Sequence, residues 1–229
     1  MKYLRGFGFF INTIILYLTI PLFGWGLDDL HSFFSSPPRS GYGAVICIVG
    51  LIVGIQAVIE PRGIHGSSGK KGKLIHSQKI IRIAATLLLV FALAFLPYAD
   101  RRNVAVMMVS ATARWIGLIL FTIGILFVLW SGISLGRFYS ADVTIQEEHQ
   151  LITDGPYRCI RHPRYLGSIL SGFGLSLLFR SWVGLIASIC FIFLIKFRIQ
   201  DEEKYMLREF GEEWETYCKN SWRMIPFLY

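Results

Sequence analysis

The sequence predicts an all-α membrane protein: a polytopic bundle of about six transmembrane helices followed by a cytosolic C-terminal helical tail. Two observations support this prediction. Hydrophobic residues make up 54% of the 229 positions and the mean hydropathy is +0.52, whereas soluble domains contain about 45–50% apolar residues. The apolar residues are also gathered into long runs separated by polar segments, as membrane-spanning helices require.

Four runs are long enough to cross the hydrocarbon core, which takes about 20 residues at about 1.5 Å per residue. They cover residues 7–27, 42–59, 80–96 and 115–132. Two later runs, 165–179 and 183–197, have 15 residues each. Because that length is marginal for a full crossing, we expect these two to form a short helical hairpin. The charged and aromatic tail from residue 200 is predicted to be helical before Gly211.

The formal net charge of +8 is explained by membrane topology rather than by a nucleic-acid partner, because most basic residues flank the apolar runs. With both termini, the 60–79 linker and the 134–164 segment on the cytoplasmic side, that side holds 18 of the 23 lysines and arginines. The other side holds five, namely Arg39, Arg101, Arg102, Arg114 and Arg180. The positive-inside rule therefore predicts cytoplasmic termini, with the first run retained as a span.

Other functional classes are disfavoured by the sequence. The four cysteines show no paired spacing, so neither a disulfide framework nor a metal site is predicted. The interiors of the spans between residues 7 and 132 carry no acidic residue, and there is no inverted repeat. A channel or transporter would require such features.

The segment 149–167, HQLITDGPYRCIRHPRYLG, contains the first pattern of residues that indicates a functional site. Gly155 and Pro156 predict a turn, and Pro163 is suited to the first turn of the next helix. His162 would then adjoin a helix N-terminus, where free N–H groups and the helix dipole can hold an anionic ligand. The alternative is that the nearby arginines contact lipid headgroups and His162 only caps the helix.

Two further segments follow. Arg198 and Glu202 are spaced i, i+4 and share a helix face, so they form an ordinary ion pair, or the acidic residues here bind a cationic ligand. Taken alone, residues 207–217 predict an amphipathic surface segment with aromatic anchors.

Together, these segments resemble the isoprenylcysteine carboxyl methyltransferase family and its phospholipid N-methyltransferase relatives. The resemblance covers roughly residues 136–217. The matching residues are His149, Leu151, Ile152, Thr153, Gly155, Tyr157, Arg161, His162, Pro163, Tyr165, Gly167, Glu202, Glu203, Phe210, Gly211, Trp214 and Tyr217. Two positions depart from the usual pattern, since Trp214 replaces a tyrosine and Lys196 an arginine.

The resemblance implies S-adenosylmethionine-dependent methylation of a lipid-like or prenylated acceptor at the cytosolic membrane boundary, with carboxylate O-methylation favoured. It divides the chain into a scaffold of four helices, residues 1–133, and a catalytic region, residues 134–229. Membrane lipids would surround both. The identity of the acceptor, including the choice between O-, N- and S-methylation, stays open.

The resemblance also implies roles for individual residues. Arg198, and with it Arg161, would orient an anionic acceptor, whereas Glu202 or Glu203 would serve as the base if the acceptor were an amine. The expected cofactor contacts are His149, Leu151, Gly155, Tyr157, His162, Pro163, Tyr165, Glu202 and Glu203.

Two alternatives remain. Membrane sterol reductases that use NADPH share the RHP-x-Y turn and a C-terminal Arg-x-Ile-Pro, here residues 223–226. They usually carry Asn and Glu where this chain has Arg164 and Ser168. The second alternative is a non-catalytic membrane protein that binds a lipid or a partner.

Overall fold

The computed structural model describes residues 2–59, 76–136 and 151–226. Within these ranges the regular secondary structure is helical, apart from two isolated β-bridges, which confirms the all-α prediction. The Gly/Lys-rich linker and His149 lie outside the described residues.

Nine α-helices lie within the described residues. Helix α1 continues through a π-helical turn, Ile15–Thr19, into α2. A 3₁₀ turn at Leu27–Asp29 precedes α3, and a second at Gly155–Arg158 precedes α7. The helices are α1 Lys2–Ile14, α2 Ile20–Trp25, α3 Leu30–Phe34, α4 Pro37–Ile59, α5 His76–Arg102, α6 Ala111–Leu135, α7 Pro163–Leu178, α8 Trp182–Phe210 and α9 Glu212–Lys219.

Five helical stretches among the described residues are long and apolar enough to cross a bilayer. They are Tyr3–Trp25, Pro37–Ile59, Ile80–Arg102, Ala111–Leu135 and Trp182–Phe210. The protein is therefore an integral membrane protein. Helix α7 is shorter, with 16 residues, so the exact number of crossings stays a prediction.

Helices α7 and α8 form the predicted hairpin, but α8 has 29 residues and runs well beyond the apolar stretch that ends at residue 197. The added residues include Glu202, Glu203, Lys204, Met206 and Leu207, all of which favour helices. The helix ends at Gly211, whose φ of 49° is readily adopted only by glycine. The longer helix carries its acidic pair back over the start of α7.

Helices α6 and α7 approach each other backbone to backbone. A Cβ atom at Gly124 would lie 2.5 Å from the carbonyl oxygen of Gly167, and one at Gly174 would lie 2.4 Å from the amide nitrogen of Phe121. Small residues allow this close packing, which drives helix association inside membranes. The contact fixes the position of α7 and thus of the residues at its N-terminus.

At the end of the bundle opposite the N-terminus of α7, a buried aspartate links several elements. Helix α5 continues past Pro97, beyond the predicted span 80–96, and the side chain of Asp100 near its end is completely buried. Its carboxylate binds Arg39 at 3.3 Å, Arg114 at 2.8 Å and Arg180 at 2.7 Å. These arginines come from α4, α6 and the α7–α8 turn, so one side chain ties four elements together.

Candidate active site

The candidate site lies where the chain enters α7, and the C-terminal tail holds that entry in place. The amide of Arg161 donates to the carbonyl of Trp222 at 2.8 Å, and the amide of His162 donates to the carbonyl of Arg223 at 3.0 Å. The amide of Trp222 donates back to the carbonyl of Cys159 at 2.9 Å. This short ladder presents residues 161 and 162 to the emerging end of α8.

Three predicted site residues form one hydrogen-bonded array. The Tyr165 hydroxyl donates to Oε1 of Glu202, and Nε of Arg198 lies 2.6 Å from that hydroxyl and 3.0 Å from the same carboxylate oxygen. The Arg198 and Glu202 side chains are only 14% and 20% exposed. Their ion pair is therefore held by a third group from the facing helix, beyond the usual i, i+4 pair.

The neighbouring carboxylate has a different environment. Glu203 binds Arg223 through both oxygens, at 2.9 and 2.5 Å. Its Oε1 also lies 3.3 Å from Nε2 of His162 and 3.4 Å from Nε of Arg161. Glu203 thus connects the tail to the start of α7, while Nδ1 of His162 lies 3.8 Å from Glu202.

Arg161 is bound mainly to the tail. Its Nη1 donates to the carbonyl of Cys218 at 3.0 Å, to the carbonyl of Ser221 and to the Ser221 hydroxyl at 3.3 Å. The guanidinium therefore satisfies the carbonyl of Cys218 in the last turn of α9, which helix geometry leaves without a partner, and the carbonyl of Ser221 beyond that helix.

The turn before α7 is fixed by a tyrosine from α9. The Tyr217 hydroxyl donates to the carbonyl of Tyr157 at 2.6 Å, and burial raises the pKa of Tyr217 to about 12, so the hydroxyl stays a donor at neutral pH. Burial also raises the pKa of Tyr157 above its usual range. Gly155 has a φ of 59°, and a Cβ there would lie 2.4 Å from the Ser134 hydroxyl, so glycine is required in this turn.

A cavity of about 550 Å³ extends from this array into the bundle. Its polar end is lined by Tyr157, His162, Tyr165, Arg198 and Glu202. The remainder is lined mostly by apolar and small residues of α5, α7 and α8. Its volume lies within the range of about 300–1,000 Å³ that is typical of ligand sites.

The structure brings most of the predicted site residues together. Arg161, His162, Tyr165, Arg198 and Glu202 all line the cavity, as do Leu151 and Tyr157. Pro163 occupies the first turn of α7, as predicted. Glu203 does not line this cavity and instead borders an outer depression with Arg223. The described residues contain no cluster of side chains that could hold a metal ion.

Sequence reasoning missed two residues of the site. Arg223 binds Glu203 across the turn at Gly211, a contact that no local periodicity predicts. Tyr205 lines the cavity three residues beyond Glu202, and among the described residues its buried hydroxyl has no hydrogen-bond partner. The i, i+3 spacing from Glu202 and the i, i+7 spacing from Arg198 were the available signal for Tyr205.

Part of the chain is similar to known methyltransferases. Residues 112–213, which run from α6 into α9, match the family model of phospholipid methyltransferases. A probable protein-S-isoprenylcysteine O-methyltransferase of Oryza sativa subsp. indica is 29% identical over 118 residues. The segment that carries the site is thus similar to phospholipid methyltransferases and to protein-S-isoprenylcysteine O-methyltransferases.

The extent of each similarity differs. The match to the rice methyltransferase covers 50% of this chain and 61% of that protein. A solved eukaryotic intramembrane Ras methyltransferase, an isoprenylcysteine carboxyl methyltransferase, has the same fold over 96% of this chain and 75% of its own, with a TM-score of 0.55 and 18% identity. A mouse Delta(14)-sterol reductase is 30% identical over 87 residues, which is 35% of this chain and 20% of the reductase.

Proposed function

We propose that this protein is a methyltransferase that transfers a methyl group from S-adenosylmethionine to the carboxylate of a prenylated or similar lipid-like acceptor. The observation that supports the proposal is the array of Arg198, Tyr165 and Glu202 at one end of a largely apolar cavity. A polar, charged end continuous with an apolar arm suits an amphipathic acceptor. The polar end lies beside the charged tail, which supports a site at the membrane boundary.

The residues at the polar end fit the methyl donor. Glu202 offers a carboxylate on the cavity wall to an ammonium group or to ribose hydroxyls. The His162 side chain makes no capping bond to α7, so the backbone N–H groups there are available to a carboxylate of the donor. When bound, S-adenosylmethionine supplies an electrophilic methyl group on its sulfonium.

The protein's part in the reaction is alignment. A carboxylate acceptor is already a nucleophile at neutral pH, so the reaction needs proximity and an in-line approach more than a base. Arg198 is suited to bind that carboxylate, because its guanidinium is held by Tyr165 and Glu202 and faces the cavity. Arg161, bound to the tail, is assigned to positioning. If the acceptor were an amine, Glu202 would be the group to accept its proton.

We also propose that both termini and this site face the cytoplasm. The basis is the excess of basic residues at this end of the bundle. Three of the five basic residues assigned to the opposite side bind Asp100, which partly neutralises their charge. The segments nearest the site therefore carry most of the unneutralised positive charge.

The experiment that tests the function is binding of S-adenosylhomocysteine to detergent-purified protein by calorimetry, together with transfer of labelled methyl to S-farnesyl-N-acetylcysteine. Glu202→Gln and Arg198→Met are compared with Glu209→Gln, an exposed carboxylate farther along α8. We expect micromolar binding that is lost in Glu202→Gln, methyl transfer that is lost in both site variants, and wild-type behaviour in the control. Binding of NADPH in place of S-adenosylhomocysteine would favour the reductase alternative, and binding of neither would favour the non-catalytic one.

A further inference from the structure

An arginine from the N-terminal half of the chain lines the same cavity as the polar array. Arg82 lies near the start of α5, and its side chain is half-buried. Other residues of α5 on the cavity wall recur every three or four positions, namely Ala85, Leu89, Ala92 and Leu96. Arg82 continues this series with the same spacing, so it belongs to the inward face of the helix.

The lipid-facing side of α5 is a different stripe of residues. Ile80, Ile83, Leu87 and Val90 are exposed there, and all four side chains are hydrocarbon. An arginine that only contacted lipid headgroups would be expected on that side of the helix. Arg82 instead lies among the residues that line the cavity. Ionisable residues that face the interior of a membrane bundle generally mark a functional site.

The level of Arg82 in the bundle follows from one close contact between helices. A Cβ atom at Gly184 of α8 would lie 2.2 Å from Cδ2 of Leu96 and 2.8 Å from the Ser176 hydroxyl, so α5, α7 and α8 meet at this point. Arg82 precedes Leu96 by 14 residues, and Arg198 follows Gly184 by 14 residues. At about 1.5 Å per residue, both arginines lie roughly 21 Å along the bundle from that contact.

Helices α5 and α8 run in opposite directions, so both distances lead to the same end of the bundle. Asp100, near the C-terminus of α5, binds Arg180 in the turn before α8 at 2.7 Å. On α7, Arg164 precedes Ser176 by 12 residues, which is about 18 Å in the same direction. Helices α5, α7 and α8 therefore each bring one arginine to the polar end of the cavity.

The charged side chains that line the cavity are mostly positive. Arg82, Arg161, Arg164 and Arg198 contribute four guanidinium groups, and Glu202 is the only carboxylate among the described lining residues. A cleft lined by one sign of charge with walls of low dielectric focuses the electric field on a ligand. A carboxylate gains charge-assisted hydrogen bonds from a guanidinium, which a cationic head cannot accept.

We propose that Arg82 is a specificity residue for the acceptor, and that with Arg164 and Arg198 it favours an anionic head group over a neutral or amine one. This inference rests on the proposed function, because it concerns the acceptor of the same site. Arg82 lies outside residues 112–213, which match phospholipid methyltransferases. Part of the selectivity for the head group is thus assigned to the N-terminal half of the chain.

The test compares two head groups on one hydrocarbon chain, S-farnesyl-N-acetylcysteine and its uncharged carboxamide. The affinity of the full-length protein for each compound is measured by calorimetry at one detergent concentration, with and without S-adenosylhomocysteine. Arg82→Met removes the charge and Arg82→Lys keeps it. Arg102→Met, the same substitution at an exposed arginine in the last turn of α5, is the matched control.

For the wild-type protein we expect the acid to bind more tightly than the amide. In Arg82→Met the affinity for the acid should fall about tenfold, the value of one hydrogen bond to a charged group, while the affinity for the amide stays within about twofold. Arg82→Lys should keep most of the affinity for the acid, and Arg102→Met should match the wild type. The KM for methyl transfer to the acid should rise in Arg82→Met by a similar factor, with kcat little changed.

An unchanged preference for the acid in Arg82→Met would overturn the inference. Equal losses of affinity for acid and amide, or a loss of affinity for S-adenosylhomocysteine alone, would also overturn it. A preference for the acid that depends on Arg82, without any methyl transfer, would reject the proposed function alone. Methyl transfer with an unchanged KM in Arg82→Met would reject this inference alone.

Discussion

Nε of Arg198 lies 2.6 Å from the hydroxyl of Tyr165, although the two residues are 33 positions apart and on different helices of the hairpin. The same hydroxyl donates to Glu202. Tyr165 is therefore the group through which α7 holds the ion pair of α8. The phenol ring of Tyr165 also lies against His162, with 5.7 Å between the ring centroids.

Replacing Tyr165 with phenylalanine removes this hydroxyl and little else. A hydrogen bond to charged partners contributes about 1.5–3 kcal/mol, so we expect kcat/KM for methyl transfer to fall by about ten- to a hundredfold. The same hydrogen bonds are present in the ligand-free protein, so its free energy of unfolding should also fall, by up to a similar amount. Tyr98→Phe, at an exposed tyrosine on α5, is the control and should retain wild-type kinetics. Wild-type kcat/KM in Tyr165→Phe would show that the array has no role in turnover.

The second prediction concerns the tail. In Arg223→Met, Glu203 loses the partner that binds both of its oxygens, and we expect residues 212–226 to be cleaved faster by proteinase K. In Arg223→Lys the cleavage rate should lie between those of the wild type and Arg223→Met, since an ammonium cannot make the paired contact with both carboxylate oxygens. Arg208→Met, at an exposed arginine of α8, should match the wild-type rate.

Binding of S-adenosylhomocysteine should weaken in Arg223→Met in parallel with tail cleavage, because the tail holds residues 161 and 162 in position. Faster cleavage with unchanged ligand affinity would show that tail docking does not support the site.

The site residues on α7 and α8 were predicted from the resemblance, while local signals predicted where some of them lie on the helices. Pro163 marks the start of α7, and the i, i+4 spacing places Arg198 and Glu202 on one face. Which of the two adjacent carboxylates faces the cavity could not be predicted. Residues 202 and 203 point in different directions on a helix, and only the packing of the tail decides which meets Arg223.

The cluster of Asp100 with Arg39, Arg114 and Arg180, called here the Asp100 junction, was not predicted, for a physical reason. The apolar run ends at Leu96 and Pro97 follows, so a helix end there is the ordinary interpretation. In the structure Pro97 is accommodated inside α5, which membrane helices tolerate when neighbouring groups satisfy the freed carbonyl. The residues after it then become helical and buried. Contacts between residues 39, 100, 114 and 180 are too distant in sequence for periodicity to reveal.

Asp100→Asn tests the junction. Removing one partner from a buried ionic network costs about 3–5 kcal/mol, and here it leaves three arginines without a counter-charge. We expect the midpoint temperature of thermal unfolding in detergent to fall markedly. In Asp28→Asn, which removes an exposed partner of Arg101, the midpoint should barely move because solvent screens that pair. Equal effects of the two substitutions would contradict a structural role for Asp100.

The last prediction concerns Tyr205, whose buried hydroxyl has no hydrogen-bond partner among the described residues. A buried hydroxyl without a partner costs about 1–3 kcal/mol, so Tyr205→Phe should leave the ligand-free protein as stable as the wild type or more stable. The hydroxyl lies on the same face of α8 as Arg198 and Glu202 and borders the cavity. A bound ligand with an oxygen acceptor would satisfy it.

We therefore expect Tyr205→Phe to weaken binding of one ligand by about two- to tenfold, the value of one neutral hydrogen bond. Measuring S-adenosylhomocysteine and S-farnesyl-N-acetylcysteine separately identifies which ligand the hydroxyl contacts. Loss of stability in the ligand-free variant, with both affinities unchanged, would mean that the hydroxyl serves the fold and not a ligand. A gain in stability with weaker binding of one ligand is the combination that a binding role requires, because the cost of burying the hydroxyl is then recovered only in the complex.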